Sequence, residues 1–261
     1  MEKSNPHSLV DEYRTQVDWR NWPRYLEKLP LLNNQSILDI GCGIGDVCHL
    51  LAARVGNVLG VDSNAVLIDS ARENAPANCQ FIEGNAARIT DLGLPRVDGI
   101  WSSFLPAYFP NLSLALESWS QNLVSGGWIA LVEVDEMLIG HAPLEPDVRD
   151  DLSQFSEKLH EAGHYDFGMG SRLVGFMREA GLKVVAEYDF EDPELAFQGP
   201  ANPEVIEAWR RRFSRLKGLR KFLGKPRFAI VEEAFIDCLR APDHYSSARV
   251  VMVVAQLEKQ F

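Results

Sequence analysis

Three glycines at positions 41, 43 and 45 close an apolar run in ILDIGCGIG, residues 37–45. Glycines at such spacing let the backbone turn sharply and lie close against a ligand, so the stretch could cradle a nucleotide-like cofactor. A dinucleotide loop places its third glycine five positions after the first, where this chain has Asp46. An acid at the start of the following helix would repel a diphosphate. With Asp39 on the strand side, the pattern suits a ligand carrying a positive centre and an amino group. Asp62 ends the next apolar run, VLGVD. One carboxylate there can accept from two hydroxyls at once.

Two other clusters could carry chemistry. HEAGH, residues 160–164, matches the H-E-x-x-H pattern of zinc hydrolases. On a helix His160 and His164 would share a face and Glu161 could activate water. Gly163 is expected to end the helix first, so a zinc hydrolase is the lesser alternative and no metal site is expected. Residues 210–227 hold nine basic side chains and no acid. Trp209, Phe213, Leu216 and Leu223 fall at helical spacing there and imply a basic amphipathic helix. Its basic face is either solvated or meets an anionic substrate, a membrane surface or RNA.

The elements that must position these residues alternate in type. SILDI, NVLGVD, CQFIEG, VDGIWSS and WIALVEV read as strands. GDVCHLLAARV, NAVLIDSAREN and LSLALESWSQNL read as helices between them, the last ending at Ser125-Gly126-Gly127. This order predicts a parallel sheet covered on both faces. Beyond Val134 a helix is expected at about 147–162, then a helix and strand in GSRLVGFMREAG and LKVVAEYDF, and a last strand in SSARVVMVVAQLE. Between the last two strands an insertion of about 191–244 carries a helical segment at 203–223, a length that suits a lid or a substrate pocket.

Composition narrows the partners. With 261 residues and 46% hydrophobic content the chain can bury a substantial core. A net charge of -11 argues against general nucleic-acid binding, which needs clustered Lys and Arg. No run of about 18 apolar residues predicts a membrane span, and MEKSNPHSLVDEY lacks the apolar centre of a secretory signal. Cys42, Cys48, Cys79 and Cys238 form no CxxC and read as reduced thiols of a cytosolic protein.

D-I-G-C-G-I-G at 39–45 resembles motif I of the class I S-adenosylmethionine-dependent methyltransferases. Asp62 stands where that family places its ribose-binding carboxylate. FIEGNA resembles the end of its third strand, with Asn85 where Asp is more usual, and NLVSGGWIALVEV resembles the turn before its fifth strand. The resemblance is close over residues 36–134 and loose beyond. It implies a Rossmann-like α/β fold with a seven-stranded, mostly parallel sheet whose last strand is antiparallel, flanked by helices and carrying a helical insertion before that strand. It implies S-adenosyl-L-methionine as methyl donor, S-adenosyl-L-homocysteine as product, and contacts from Asp39, Gly41, Cys42, Gly43, Gly45, Asp62, Ser63, Asn85, Ala86 and Ser102. One domain is expected: a helical cover (1–35), a cofactor core (36–134), acceptor-side insertions (135–170 and 191–244) and the last strand (245–261).

DEYRTQVDWRNWPRY resembles the helix that covers the cofactor in small-molecule members of the family. Tyr13, Trp19, Trp22 and Tyr25 could close over a sulfonium, and Arg20 or Arg24 could hold the methionine carboxylate. Alternatively the aromatics are core. Methyl transfer needs an in-line acceptor and dryness, and a base only where a proton must leave. Ser102, Ser103, Phe104, Glu133, Asp135 and His141 are expected at the strand ends facing the acceptor, with Asp135 and His141 as the candidate catalytic pair. SSFLPAY replaces the Asn/Asp-Pro-Pro-Tyr/Phe motif of amide and adenine enzymes, and there is no Pro-Cys pair. The expected activity is methylation of N or O on a small metabolite or natural product, with carbon acceptors left open; binding of the cofactor without turnover is the alternative.

Overall fold

Apolar residues on both faces of short runs can only be satisfied between two layers of helices, and that is where the strands lie. The computed structural model describes residues 6–17 and 19–258; the beginning of the amino-terminal stretch read for a signal (1–5) and residues 259–261 lie outside them. The first half runs α1 (Pro6–Val17), α2 (Trp22–Leu26), β1 (Ser36–Ile40), α3 (Asp46–Ala52), β2 (Asn57–Asp62), α4 (Ala65–Arg72), β3 (Cys79–Glu83), β4 (Val97–Ser103), α5 (Leu112–Ser120) and β5 (Leu123–Asp135). The second half runs β6 (His141–Ala142), α6 (Pro146–Glu161), α7 (Met169–Glu179), β7 (Lys183–Phe190), α8 (Pro203–Arg215), α9 (Lys217–Leu223), α10 (Lys225–Arg240), β8 (Tyr245–Ser246) and β9 (Arg249–Gln256).

The main sheet has seven strands in the order β3-β2-β1-β4-β5-β9-β7. β1 pairs in parallel with β2 and β4, and β9 runs antiparallel to both β5 and β7. The order reverses direction between β1 and β4, so their carboxyl ends open onto a crevice where a ligand can sit. Leu38, Ile40, Ile100, Ile129 and Leu131 are fully buried on one face, Trp101, Ala130 and Val132 on the other. Among the described residues no helix is long and apolar enough to cross a membrane.

Two local expectations need correction. Strand β5 begins at Leu123, so Ser125-Gly126-Gly127 belongs to the strand rather than to a helix end. The helical insertion is also larger: α10 adds residues 225–240, and the expected continuous basic helix is broken twice. Leu216 leaves helical geometry with ψ 59°, and Gly224 takes φ 73° and ψ 158°. Pro226 then sits in the first turn of α10, where its missing N–H costs nothing. Phe228, Val231, Phe235 and Leu239 form the buried stripe of α10, a spacing that was readable in the sequence.

His141 is not at the ligand crevice. It is fully buried inside the insertion's aromatic core, beside Trp209, Phe235 and Phe197, with its Nδ1 3.0 Å from Nε2 of His244. Burial first, and His244 second, push its pKa from 6.5 down to about 3. Between those values the unfolded chain binds a proton that the folded chain refuses, so the stability His141 contributes is full above pH 6.5 and is lost as the pH falls. In urea unfolding, His141→Gln should lose about 1 kcal/mol less stability per pH unit than the parent between pH 6 and 4.5. Identical slopes would show that the imidazole is not held neutral.

Candidate active site

The loop after β1 is fixed by its own backbone. Gly41 N–H and Cys42 N–H both donate to the carbonyl of Val61, at 2.7 and 3.1 Å, tying the loop to β2. Gly45 caps α3 in the left-handed region, φ 86°. A Cβ there would also lie 2.7 Å from the Phe81 ring, so glycine is required twice over. Asp62, at the end of β2, accepts from Gly43 N–H at 3.0 Å through Oδ2 and from Asn64 N–H at 2.9 Å through Oδ1. Each oxygen keeps a lone pair for a ligand. Asn85, after β3, accepts from Ala87 N–H at 2.9 Å, which turns the chain so that Ala86 faces the crevice.

Together these residues line one side of a cavity of about 580 Å³. Asp39, Gly41, Cys42, Gly43, Asp62, Ser63, Asn85 and Ala86 all border it, and so does Asp46. Gly45 lies just behind, at the helix start. Burial lifts the Asp39 carboxyl to about 7, although a hydrogen bond from Cys48 Sγ at 3.1 Å pulls the other way. Burial likewise lifts Asp46 to about 6.

Much of the remaining lining is aromatic, and Tyr13 and Leu105 lie directly against Gly43 and Gly41. Tyr13, Gln16, Val17, Arg20 and Trp22 come from the amino-terminal segment, and Ser103, Phe104, Leu105, Tyr108 and Phe109 from the chain after β4. Phe104 holds a left-handed backbone, φ 54°, a strained setting for a bulky residue. Its ring packs 5.8 Å from Trp22, and Arg20 lies over it at 5.2 Å. Arg20 is itself buried between Asp192, which it meets at 2.7 Å, and Glu194.

Several expected residues face elsewhere. Ser102 is fully buried and donates to the Ile40 carbonyl at 2.7 Å, bracing β4 against β1. Arg24 opens onto a separate cleft beside Trp19, Glu191 and Phe197. Tyr25 is buried against Phe190, ring centroids 3.7 Å apart, as core. Asp135 is tied to Arg249 at 3.4 Å and does not border the cavity, and neither does His141. Glu133 accepts from Ala107 N–H at 3.0 Å and so braces the wall that carries Tyr108; burial raises its pKa to about 8. The insertions at 135–170 and 191–244 support the cavity from behind rather than lining it. Leu105, Tyr108 and Phe109 were passed over as site residues, although aromatic content directly after a strand end was visible in the sequence.

The two distractors resolve through geometry. α6 stops at Glu161 and Gly163 turns left-handed, so His160 and His164 do not share a helical face. His160 instead sits 2.8 Å from Arg172, a cation where a metal would have to be. Among the described residues no group of three His, Cys, Asp or Glu could hold a metal. In the basic run, Arg210 pairs with Glu233, Arg212 with Glu194, Arg215 with Glu12 and Arg227 with Asp147 and Asp151. Those four arginines face this chain's own acids.

A seven-stranded sheet of this order, with a glycine loop after β1 and a carboxylate ending β2, defines a methyltransferase fold. A methyltransferase-domain family profile matches residues 37–127. The chain is a class I S-adenosylmethionine-dependent methyltransferase. Its sequence is 26% identical to the trans-aconitate 2-methyltransferase of Afipia carboxidovorans, over 85% of this chain and 97% of that one. In fold it is similar to an S-adenosylmethionine-dependent methyltransferase from Mesorhizobium loti (TM-score 0.53, 17% identity, covering 92% of this chain and 99% of that one). It is also similar to the geranyl diphosphate C-methyltransferase of Streptomyces coelicolor (TM-score 0.54, 16% identity, 94% and 80%).

Because Asp62 both holds the loop and offers lone pairs to a ligand, Asp62→Ala should weaken S-adenosylmethionine at least tenfold by titration calorimetry. Asp135→Ala, at a residue that does not border the cavity, should leave that affinity within twofold. Equal losses in the two variants would contradict the arrangement.

Proposed function

We propose that this methyltransferase acts on an oxygen of a small organic acid, forming a methyl ester. One observation carries the reading: the carboxylates that border the cavity, Asp39, Asp46 and Asp62, belong to β1, the start of α3 and the end of β2, while the segments before β1 and after β4 bring mainly aromatics and hydroxyls to its lining. Among the described residues no histidine borders it. An acceptor that must lose a proton would want a base within reach. A carboxylate is already ionised near neutrality and brings its own lone pair, so positioning and dryness suffice. The Afipia relative, named for methylation of trans-aconitate, a tricarboxylic acid, supports the same acceptor class.

S-adenosylmethionine supplies an electrophilic methyl group on a sulfonium. The cavity volume falls in the range of about 300–1,000 Å³ typical of ligand sites. In this reading Asp62 accepts from the ribose hydroxyls, Asn85 and Ala86 meet the adenine edge, and the loop at 41–45 with Asp39 holds the amino acid end. Tyr13, Trp22 and Phe104 present π-faces to the positive centre and exclude water from the line of transfer. Arg20 cannot serve as a free cation, because Asp192 and Glu194 hold it; it fixes the wall instead.

The test is a panel in which the protein meets S-adenosylmethionine with trans-aconitate, other di- and tricarboxylates, amines and phenols. The expected outcome is S-adenosylhomocysteine together with a product that releases methanol in mild alkali, as an ester does. An alkali-stable product, or turnover with amines or phenols alone, would overturn the reading.

A further inference from the structure

Four of the nine basic residues at 210–227 are held by this chain's own acids, and five are not. Arg211 faces solvent on α8, one turn after Glu207. The other four, Lys217, Arg220, Lys221 and Lys225, are exposed and have no carboxylate partner among the described residues. On α9, Lys217, Arg220 and Lys221 fall within about 100° of one another, on the side away from the fully buried Leu219. Two ring contacts tie neighbouring helices to the same face. Arg220 lies 4.7 Å from the ring centroid of Phe228, on α10, which begins at Lys225. Lys158 of α6, exposed and also without a carboxylate partner, lies 5.1 Å from the ring centroid of Phe222, on α9. Such contacts lay the apolar stems on the rings and leave the charges in water.

This face differs in sign from the rest of the molecule. No acid occurs between Glu207 and Glu232, in a chain whose net charge is -11. On α6, Asp147 and Asp151 are both held by Arg227, and Asp150 and Glu157 lie about a quarter turn round the helix from Lys158. Apolar surface adjoins it: Ile230, five residues after Lys225, is 56% exposed, and Pro226 and Ala229 are exposed as well. The aromatics of the run point inward. Phe213 and Phe228 are buried, and Phe222 is half-buried beneath Lys158. A single-stranded nucleic acid binds by stacking bases on open aromatic faces, and the aromatics here are turned away from such a strand.

We propose that the face formed by Lys158, Lys217, Arg220, Lys221 and Lys225 docks on an anionic lipid surface. Four of these five charges are lysines, compact point charges on flexible stems. They match a diffuse sheet of negative headgroups, which asks for charge density, better than the fixed fork geometry by which arginine grips a single carboxylate of a protein partner. α9 spends its apolar side on the core, so the contact is with headgroups and the helix does not sink among the acyl chains. Docking of this kind is reversible and weakens with salt. Arg215, two residues before Lys217, pairs with Glu12 of α1, so the docking face adjoins the helix that borders the cofactor cavity. The proposal does not depend on which acceptor the enzyme takes.

The experiment is sedimentation of the full chain with vesicles of phosphatidylcholine, alone or with about 30% phosphatidylglycerol. The parent should sediment with the anionic vesicles at about 50 mM potassium chloride, stay in solution with the neutral ones, and be released at about 300 mM. Each basic residue near such a surface adds about fivefold to partitioning, so Lys217→Gln with Lys221→Gln should partition about twentyfold less. Both side chains are exposed and unpaired, and S-adenosylhomocysteine affinity by calorimetry should be unchanged, which separates lost docking from lost folding. Arg96→Gln with Lys183→Gln removes the same charge from exposed positions at the start of β4 and β7, and should cost less than about threefold. Equal losses in the two double variants would overturn the assignment to this face. Failure of the parent to sediment with anionic vesicles would overturn the proposal, and binding of a single-stranded oligonucleotide in their place would give the face to nucleic acid instead.

Discussion

Four charges buried together set the position of everything that covers the cavity. Arg20 lies between Asp192 and Glu194, and Glu194 also holds Arg212, so three distant parts of the chain share one neutral knot. Burial alone would raise the Glu194 carboxyl, but Arg212 and Arg20 outweigh it and hold it at about 2. Asp192 adds a tight turn, accepting from Glu194 N–H and Leu195 N–H at 2.9 Å each. Water cannot replace a lost partner there, so removing one charge from such a knot costs about 3–5 kcal/mol. Arg20 lies seven residues after Tyr13 and two before Trp22, and anchoring it fixes both aromatic walls.

The glycine-loop side of the cavity was legible in the sequence because it is encoded locally. Strand ends, the spacing of Gly41, Gly43 and Gly45, and the acid closing the second strand are properties of short segments, and the resemblance they carry implied seven strands with the last antiparallel, as the sheet shows. The acceptor side was not. Arg212 lay inside a run that read as one basic helix, and nothing near it in sequence announces Glu194 as its partner. His141 and Asp135 have the side chains of proton carriers, yet burial among Trp209 and Phe235, or pairing with Arg249, is decided by residues about 70 to 115 positions away. α10 is the exception: its stripe of Phe228, Val231, Phe235 and Leu239 is encoded locally, at helical spacing.

The two halves of the cavity therefore have different origins. The loop side is built from strand ends of one sheet, where hydrogen-bonded neighbours leave little freedom. The acceptor side is assembled from a helix before the sheet, a turn after β4 and supports in the insertion, none of which depends on strand register. In the proposed reading, such a division lets the donor site stay fixed while the acceptor site changes shape. It fits a fold shared with proteins only 16–17% identical, one of which acts on geranyl diphosphate.

The position of β9 has a consequence for how the chain is made. Residues 249–256 lie between β5 and β7, and β7 has no other strand beside it. While synthesis proceeds from the amino end, everything through residue 248 leaves the ribosome before that central place is filled. Strands β1 to β5 have all their mutual partners by then, whereas β7 has no strand to pair with until β9 is made. A partly made chain thus presents two bare strand edges facing one another. The knot that anchors Arg20 draws on acids just beyond β7, so the wall it fixes cannot be completed before residues 192–212 are made.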